Sequence, residues 1–131
     1  MIVKMKITCG CDIIEIDRIK EAILEQKDAF ISRIYTKQEI DYCEKKNQNK
    51  YQHYAARFAA KEAVFKALSC EIPDKYAIEW KSIELKNDES GRPQVGLDEE
   101  KIKTANIANI DISISHCKQY AMAQVVVLWK E

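Results

Sequence analysis

Residues 51–69 decide the fold of this chain, and they read YQHYAARFAAKEAVFKALS. Apolar side chains recur in this stretch at helical intervals, at Tyr51, Ala55, Phe58, Phe65 and Leu68. A helix turns by about 100° per residue, so these side chains form one stripe on one face. The pattern predicts a single long helix that packs on the rest of the fold.

Glu62 interrupts this stripe with a carboxylate. At the same pitch of about 100° per residue it falls between Phe58 and Phe65, and Lys66 follows one turn later. A carboxylate directed at a core requires a cation, a metal ion or hydrogen-bond donors nearby. Two interpretations are open. Glu62 and Lys66 form a structural ion pair in the favourable i, i+4 order, or they belong to a functional site.

The composition is that of an ordinary globular chain. It has 131 residues, of which 47% are apolar, and its 21 basic side chains balance 21 acidic ones. These values predict a single domain spanning residues 1–131. The charge is uneven, because residues 18–61 hold ten Lys or Arg against six Asp or Glu. That excess is compatible with an anionic ligand or an acidic protein partner, and equally with scattered solvated lysines.

The five cysteines are an odd number and lack the spacing of a metal site. Neither a signal peptide nor an apolar run long enough to cross a membrane is recognisable. We therefore expect reduced thiols and a cytoplasmic protein without a membrane partner. Nucleic acid is the least favoured partner, because the chain lacks a basic motif interleaved with aromatic residues.

The remaining sequence alternates between helix and strand patterns. Helices are predicted at residues 18–26, at residues 36–46 behind a capping box of Thr36 and Glu39, and after Asp98. Strands are predicted at residues 2–14, interrupted at Gly10, and at residues 77–86, 94–97, 110–115 and 120–129. This order predicts an α+β fold with a mostly antiparallel sheet and the long helix packed on it. The last strand is apolar on both faces, so we expect a cover or a subunit interface there.

Asp12 follows Gly10 at the predicted interruption of the first strand. Alone it is best explained as a turn residue, but together with Glu62 it would offer two oxygen ligands. Mg²⁺ is usually held by one or two carboxylates, while substrate phosphates and water complete its octahedron. Lys61 and Lys66 flank Glu62, and lysine binds phosphate as a point charge. This set indicates a Mg²⁺–phosphate site, provided that the fold brings Asp12 to the helix.

Two further residues have both a structural and a functional explanation. His116 ends a strand at a turn, where it can contact a phosphate or cap its own loop, and alone the structural role is favoured. Arg57 lies one turn before Lys61 on the same flank of the helix. It can extend the phosphate site or remain in solvent.

Several of these segments resemble one family. Residues 10–19 are similar to the G-x-D-I-x-x-x-x-R-I opening of the holo-acyl-carrier-protein synthases, the small single-domain class of 4′-phosphopantetheinyl transferases. Residues 57–68, RFAAKEAVFKAL, resemble the R-F-A-A-K-E-A-x-x-K-A helix of that family, which is its most specific motif. Residues 87–93, 112–116 and 120–126 are similar to its N-D-x-x-G-K/R-P turn, its S-I-S-H strand end and its closing strand. The resemblance covers nearly the whole chain, in order.

The resemblance implies a 4′-phosphopantetheinyl transferase-like fold and a reaction. In that Mg²⁺-dependent reaction, the 4′-phosphopantetheine of coenzyme A moves to a serine of apo acyl carrier protein, for fatty acid biosynthesis. Adenosine 3′,5′-bisphosphate is the other product. At the matching positions, Asp12 and Glu62 would be the Mg²⁺ ligands, and Lys66 would help the bisphosphate to leave. Glu62, directly or through a metal-bound water, is also the candidate base for the serine proton.

The resemblance also implies binding residues. Arg57, Lys61 and His116 would hold phosphates of coenzyme A. Arg18 would dock the acidic carrier protein, with Arg33 as a second contact. Members of the family usually work as trimers with active sites between subunits, so a homotrimer is expected.

Two other functions remain open at this point. The chain could be a non-catalytic module that binds a carrier protein or a nucleotide. The set of Asp12, Glu62 and Lys66 argues against it, because a binder does not need the metal. The chain could also serve the carriers of other synthases, but the larger members with that role are about twice this length. A single-domain chain favours the fatty-acid carrier.

Overall fold

The computed structural model describes residues 4–130. Its elements are, in order, β1 (Lys6–Glu15), α1 (Ile16–Gln26), α2 (Asp28–Ile34), α3 (Lys37–Glu44), α4 (Lys50–Ser69), β2 (Ile83–Asn87), β3 (Pro93–Leu97), β4 (Ile107–His116) and β5 (Tyr120–Trp129). Strands β1, β5 and β4 form one antiparallel sheet in that order, and β2 and β3 form a separate antiparallel hairpin. Helix α4 packs on the larger sheet. The predicted α+β class is therefore confirmed.

Helix α4 meets strand β1 at Gly10. A Cβ atom at this position would collide with the backbone oxygen of Ala63 and would lie 3.0 Å from Ala67 N. Only glycine lets the helix backbone come so close to the strand. The pairing of β1 with β5 runs without a shift from Lys6 to Glu15, so the predicted interruption at Gly10 is wrong. The predicted strand also included residues 2 and 3, which lie outside the described residues.

The buried face of α4 agrees with the predicted stripe only in part. Ala55 and Leu68 of that stripe are fully buried. The other side chains without solvent exposure that pack on the sheet are small, namely Ala59, Ala60, Ala63, Val64 and Ala67. Phe58 and Phe65 are only partly buried. Because small side chains allow the closest packing on a sheet, they face the core, and the two phenylalanines lie along its edge. Glu62, between the phenylalanines, therefore stands at the rim of the interface.

Strand β5 alternates between a buried and an exposed face. Ala121, Ala123, Val125, Val127 and Trp129 are buried on the side that faces α4. On the other side Met122 is 41% exposed and Val126 is 40% exposed. The neighbouring Ile7 and Ile13 of β1 are 66% and 63% exposed. Along β1 and β5 this face of the sheet is thus mainly apolar, and none of residues 4–130 covers it.

Three local predictions differ from the structure. The sequence does not predict α2, which begins directly after Lys27 turns the chain with φ = 52°. The strand predicted at residues 77–86 is shortened to β2, because short 3₁₀ turns form at Lys75–Ala77 and Trp80–Ser82. Within residues 4–130 no helix follows Asp98. Its Oδ1 instead accepts a hydrogen bond from Glu100 N in a turn. None of the described helices is long and apolar enough to span a membrane.

Candidate active site

The acidic residue of β1 and the lysine of α4 meet at the rim of the helix–sheet interface. The side chain of Asp12 is 19% exposed, and Lys66 Nζ lies 3.3 Å from Asp12 Oδ1. Lys66 Nζ also donates to the backbone oxygen of Cys11 at 3.0 Å. Two residues that are 54 positions apart in the sequence are therefore in direct contact.

Glu62 lies one turn before Lys66 on the same side of α4 and is partly buried. Burial raises the pKa of Glu62, and the negative charge of Asp12 raises it further, while the ammonium group of Lys66 acts in the opposite direction. Two carboxylates in one site disfavour each other's ionisation, so the pair is stabilised by a proton or by an added cation. The structure thus brings Asp12, Glu62 and Lys66 into one electrostatically coupled group.

The donor set of this group fits Mg²⁺. Asp12 and Glu62 supply two carboxylates, which is the usual protein contribution to a Mg²⁺ site that also binds phosphate. Burial, and then the charge of Asp12, raise the pKa of Glu62, so added positive charge would stabilise the two carboxylates. Among residues 4–130 no group of three His, Cys, Asp or Glu side chains could hold an ion. An ion at Asp12 and Glu62 would therefore depend on oxygens from a bound phosphate and from water.

The ammonium group of Lys61, which the resemblance assigns to a phosphate of coenzyme A, makes its hydrogen bonds inside the protein. Its side chain has no solvent exposure, and Nζ lies 2.7 Å from Glu39 Oε1. The same ammonium donates to Trp80 O at 2.9 Å and to Ile83 O at 2.6 Å. A lysine ammonium has three donors, and all three are used inside the protein. Lys61 therefore has no donor left for a phosphate.

Glu39 is the other half of this buried pair. Its carboxylate also accepts hydrogen bonds from Thr36 N and Leu85 N, both at 2.9 Å. Thr36 Oγ1 accepts one from Glu39 N, which confirms the predicted capping box. The sequence identifies Glu39 only as a cap of α3. The structure shows that it joins α3, α4 and β2 in the core.

Arg57 is held in the protein by one ring and one amide. Its guanidinium carbon lies 3.9 Å from the centre of the Tyr42 ring, and Nη2 donates to Asn87 Oδ1 at 2.7 Å. The residue is 4% exposed, and its buried Nε has no hydrogen-bond partner among the described residues. A buried donor without a partner costs stability. Arg57 therefore has a donor available to an anion that enters this region.

Two histidines lie near each other in this region, and one of them, His53, precedes Arg57 by one turn of α4. His116 is exposed at the end of β4, and its ring centroid is 6.4 Å from that of His53 on α4. His53 meets the ring of Tyr42 edge-on at 5.6 Å, and Lys46 Nζ lies 4.7 Å from the centre of that ring. These five residues, Tyr42, Lys46, His53, Arg57 and His116, are called the cationic cluster below. The structure thus brings the predicted Arg57 and His116 to one place.

Sequence reasoning missed His53, Tyr42 and Asn87. The available signal was that His53 precedes Arg57 by four residues and therefore shares its side of the helix. Burial lowers the pKa of His53 to about 4, and the positive charges of Lys46 and Arg57 contribute to that shift. Tyr42 and Asn87 come from other elements, and no local pattern connects them with Arg57.

A cavity of about 630 Å³ opens beside Glu62. Phe65, Ile78 and Trp80 contribute apolar walls, and Arg33 lies at its lining. A volume of this order accommodates a small-molecule ligand. The cavity places Arg33 near the acidic site, whereas Arg18 is exposed on α1 and does not line it.

Comparison with known proteins identifies the family. The model of the 4′-phosphopantetheinyl transferase superfamily matches residues 8–125. The chain is 44% identical over 126 residues to the holo-[acyl-carrier-protein] synthase of Ruminiclostridium cellulolyticum, covering 94% of this chain and 92% of that protein. The chain belongs to the holo-[acyl-carrier-protein] synthase family. As a member of this family it is an enzyme, a 4′-phosphopantetheinyl transferase.

Solved structures of the family share the fold. The holo-[acyl-carrier-protein] synthase of Helicobacter pylori, in complex with coenzyme A, superposes with a TM-score of 0.78 at 33% identity, covering 91% of this chain and 98% of that chain. The enzyme of Bacillus anthracis, in complex with CoA (3′,5′-ADP), gives a TM-score of 0.77 at 32% identity, covering 98% and 100%. The predicted 4′-phosphopantetheinyl transferase-like fold is therefore confirmed.

Proposed function

We propose that this enzyme transfers 4′-phosphopantetheine from coenzyme A to a serine of apo acyl carrier protein, in a Mg²⁺-dependent reaction that serves fatty acid biosynthesis. The products are holo-carrier protein and adenosine 3′,5′-bisphosphate. The observation that carries the proposal is that Glu62 lines a ligand-sized cavity and lies next to the ion pair of Asp12 and Lys66, whose charges act on its carboxylate. The coenzyme A complexes of the Helicobacter pylori and Bacillus anthracis enzymes support the choice of donor substrate.

The distance between the group of Asp12, Glu62 and Lys66 and the cationic cluster suits coenzyme A, which has a pyrophosphate and a third phosphate on its ribose. Glu62 and Arg57 are five residues apart on α4, and Glu62 and His53 are nine apart. With a rise of 1.5 Å per residue, these separations are about 7.5 Å and about 13.5 Å along the axis. The pyrophosphate would lie at Asp12, Glu62 and Lys66, and the ribose phosphate would lie at Arg57 and His116.

Asp12 and Glu62 would hold Mg²⁺, which when bound neutralises negative charge on the pyrophosphate. Side chains of this protein would position the reacting groups, stabilise the leaving group and accept the proton. The serine oxygen bonds to the phosphorus on the pantetheine side, and the bond from that phosphorus to the bridging oxygen breaks. Adenosine 3′,5′-bisphosphate leaves with the electron pair, and the ammonium group of Lys66 stabilises its new charge. Phosphoryl transfer depends chiefly on such positioning and charge stabilisation.

Glu62 is the proposed acceptor of the serine proton. In the metal-free protein its pKa is raised by burial and by the charge of Asp12. The cavity beside it would receive the pantetheine arm, because Phe65, Ile78 and Trp80 offer apolar walls. Arg33 at the cavity lining and the exposed Arg18 on α1 are the proposed contacts for the acidic carrier protein.

We further propose a cytoplasmic homotrimer of single-domain chains, residues 1–131, with active sites between subunits. The uncovered apolar face of β1 and β5 supports self-association. All five cysteines are free, in keeping with a reducing compartment.

A mass measurement on the carrier protein tests the proposed function. Apo acyl carrier protein incubated with the enzyme, coenzyme A and Mg²⁺ should gain the mass of one phosphopantetheine group. A carrier in which the acceptor serine is replaced by alanine is the control, and its mass should not change. If the native carrier also keeps its mass, the chain lacks the proposed transfer activity.

A further inference from the structure

His53 is a titratable side chain that the proposed reaction does not use. It lies on α4 one turn before Arg57, and its ring is packed edge-on against Tyr42 with centroids 5.6 Å apart. The ring centroid of His116 lies 6.4 Å away. His53 is partly buried, so it is held in place by its neighbours but remains at the edge of the cationic cluster.

The charged groups that act on His53 come from three parts of the fold. Lys46 follows α3, Arg57 belongs to α4, and His116 belongs to β4. Tyr42 of α3 packs against the ring without a charge. Burial and these positive neighbours hold the pKa of His53 at about 4, so its ring is neutral at pH 7 in the free protein.

The cluster is complementary to an anion. The buried Nε of Arg57 has no partner within the described part of the chain, and His116 is exposed beside His53. A neutral histidine ring has one donor and one acceptor nitrogen. The acceptor nitrogen would repel a phosphate oxygen, whereas a protonated ring would donate from both nitrogens. A nearby phosphate dianion also favours the protonated ring, because opposite charges stabilise each other.

We propose that His53 is a further binding residue of the cationic cluster, and that it recognises a phosphate monoester by taking up a proton as the anion binds. The inference rests on the proposed function, in which that group is the ribose phosphate of coenzyme A. The consequence of this proton uptake is that the site distinguishes nucleotides with a ribose 3′-phosphate from those without one. A nucleotide with the ribose 3′-phosphate binds with uptake of a proton by His53, and a nucleotide without it does not engage His53.

Histidine NMR tests the proton uptake directly. The chain has only two histidines, so the variant His116→Gln assigns both ring signals. The titration midpoint of His53 should lie near 4 in the free enzyme. It should rise to about 6 or above when the enzyme is saturated with adenosine 3′,5′-bisphosphate. Adenosine 5′-monophosphate, which has the same 5′ group but no 3′-phosphate, should leave the midpoint unchanged. An equal midpoint with and without the bisphosphate overturns the proposal.

Calorimetry on His53→Phe gives a second readout. Phenylalanine keeps the aromatic contact with Tyr42 but cannot be protonated. As pH rises from the midpoint of free His53 to its midpoint in the complex, the wild-type affinity for the bisphosphate should weaken by up to about tenfold per pH unit, relative to its affinity for the monophosphate. His53→Phe should lose this difference in slope and bind the bisphosphate about tenfold more weakly near pH 6. The variant should bind the monophosphate normally.

Equal bisphosphate affinity and slope in the variant and the wild type would reject the role of His53. The carrier mass assay separates this failure from failure of the proposed function. An enzyme that modifies the carrier but shows no effect at His53 refutes only the role of His53. An enzyme that does not modify the carrier refutes the transfer reaction itself.

Discussion

The ammonium group of Lys61 lies 2.7 Å from Glu39 Oε1, and neither side chain is exposed to solvent. Glu62, the next residue of the helix, points about 100° away from Lys61 and faces the acidic site. Lys61 therefore fixes α4 to α3 and β2, and Glu62 is the proposed metal ligand and proton acceptor. The buried pair holds the helix turn from which Glu62 projects.

Replacing Lys61 should destabilise the fold strongly. In Lys61→Ala the carboxylate of Glu39 is left buried without its cation, and breaking a buried ion pair costs about 3–5 kcal/mol. The double variant Lys61→Met with Glu39→Gln removes both charges and should recover part of that loss. Urea unfolding measures the free energies, with the half-exposed Lys66→Ala as the control for loss of a lysine on the same helix. A cost in Lys61→Ala no larger than in Lys66→Ala would contradict the structural role.

Glu62→Gln should abolish most turnover and leave the fold intact. Loss of a general base lowers the rate by about 10²–10⁴-fold. The raised pKa of Glu62 means that its ionised form costs stability, and that this cost disappears as pH falls through the folded-state value. Without metal, Glu62→Gln should therefore melt above the wild type near pH 7 and lose this advantage in acid. Thermal melts with and without Mg²⁺ check this, because only the wild type should gain stability from the ion. Near wild-type turnover would remove Glu62 from the mechanism.

The local patterns of the sequence predicted many residues of the site, but not which of their side chains are buried. The capping box and the helical period depend on neighbours within one or two turns, so both could be recognised directly. Which of Lys61 and Glu62 is buried depends on Glu39, 22 residues earlier, and on two backbone oxygens of residues 80 and 83. The core face of α4 was likewise set by close approach at Gly10, which selects alanines and leaves the phenylalanines at the edge. Helical periodicity contains no information on either contact.

Lys66→Ala should lower kcat more than it weakens coenzyme A binding. The lysine contacts Asp12 and would stabilise the leaving bisphosphate, whereas the cationic cluster remains available to bind the cofactor substrate. We expect a loss of about 10²–10³-fold in kcat, as for removal of one donor to developing charge. Steady-state kinetics and a separate binding titration with coenzyme A measure the two effects. The control is Lys75→Ala, a lysine at the lining of the cavity, which should keep kcat. A rise in KM with unchanged kcat would make Lys66 a binding residue only.

Val126→Glu should disrupt self-association. Val126 is 40% exposed at the uncovered face of the sheet, and Cys9 of β1 pairs with it across the strands. A charge at this position would have to be buried without a partner in any interface formed there, which is strongly unfavourable. Sedimentation should give a wild-type mass of three times the 15.2 kDa chain and a monomer for the variant.

A matched control makes this result specific to the sheet face. Leu24 on α1 is 55% exposed, so Leu24→Glu introduces the same charge at an exposed apolar position elsewhere. It should leave the assembly unchanged. If active sites form between subunits, the Val126→Glu monomer should also lose transferase activity while its helix content remains that of the wild type. A fully active monomer would show that one chain holds a complete site, and that the apolar face serves another purpose.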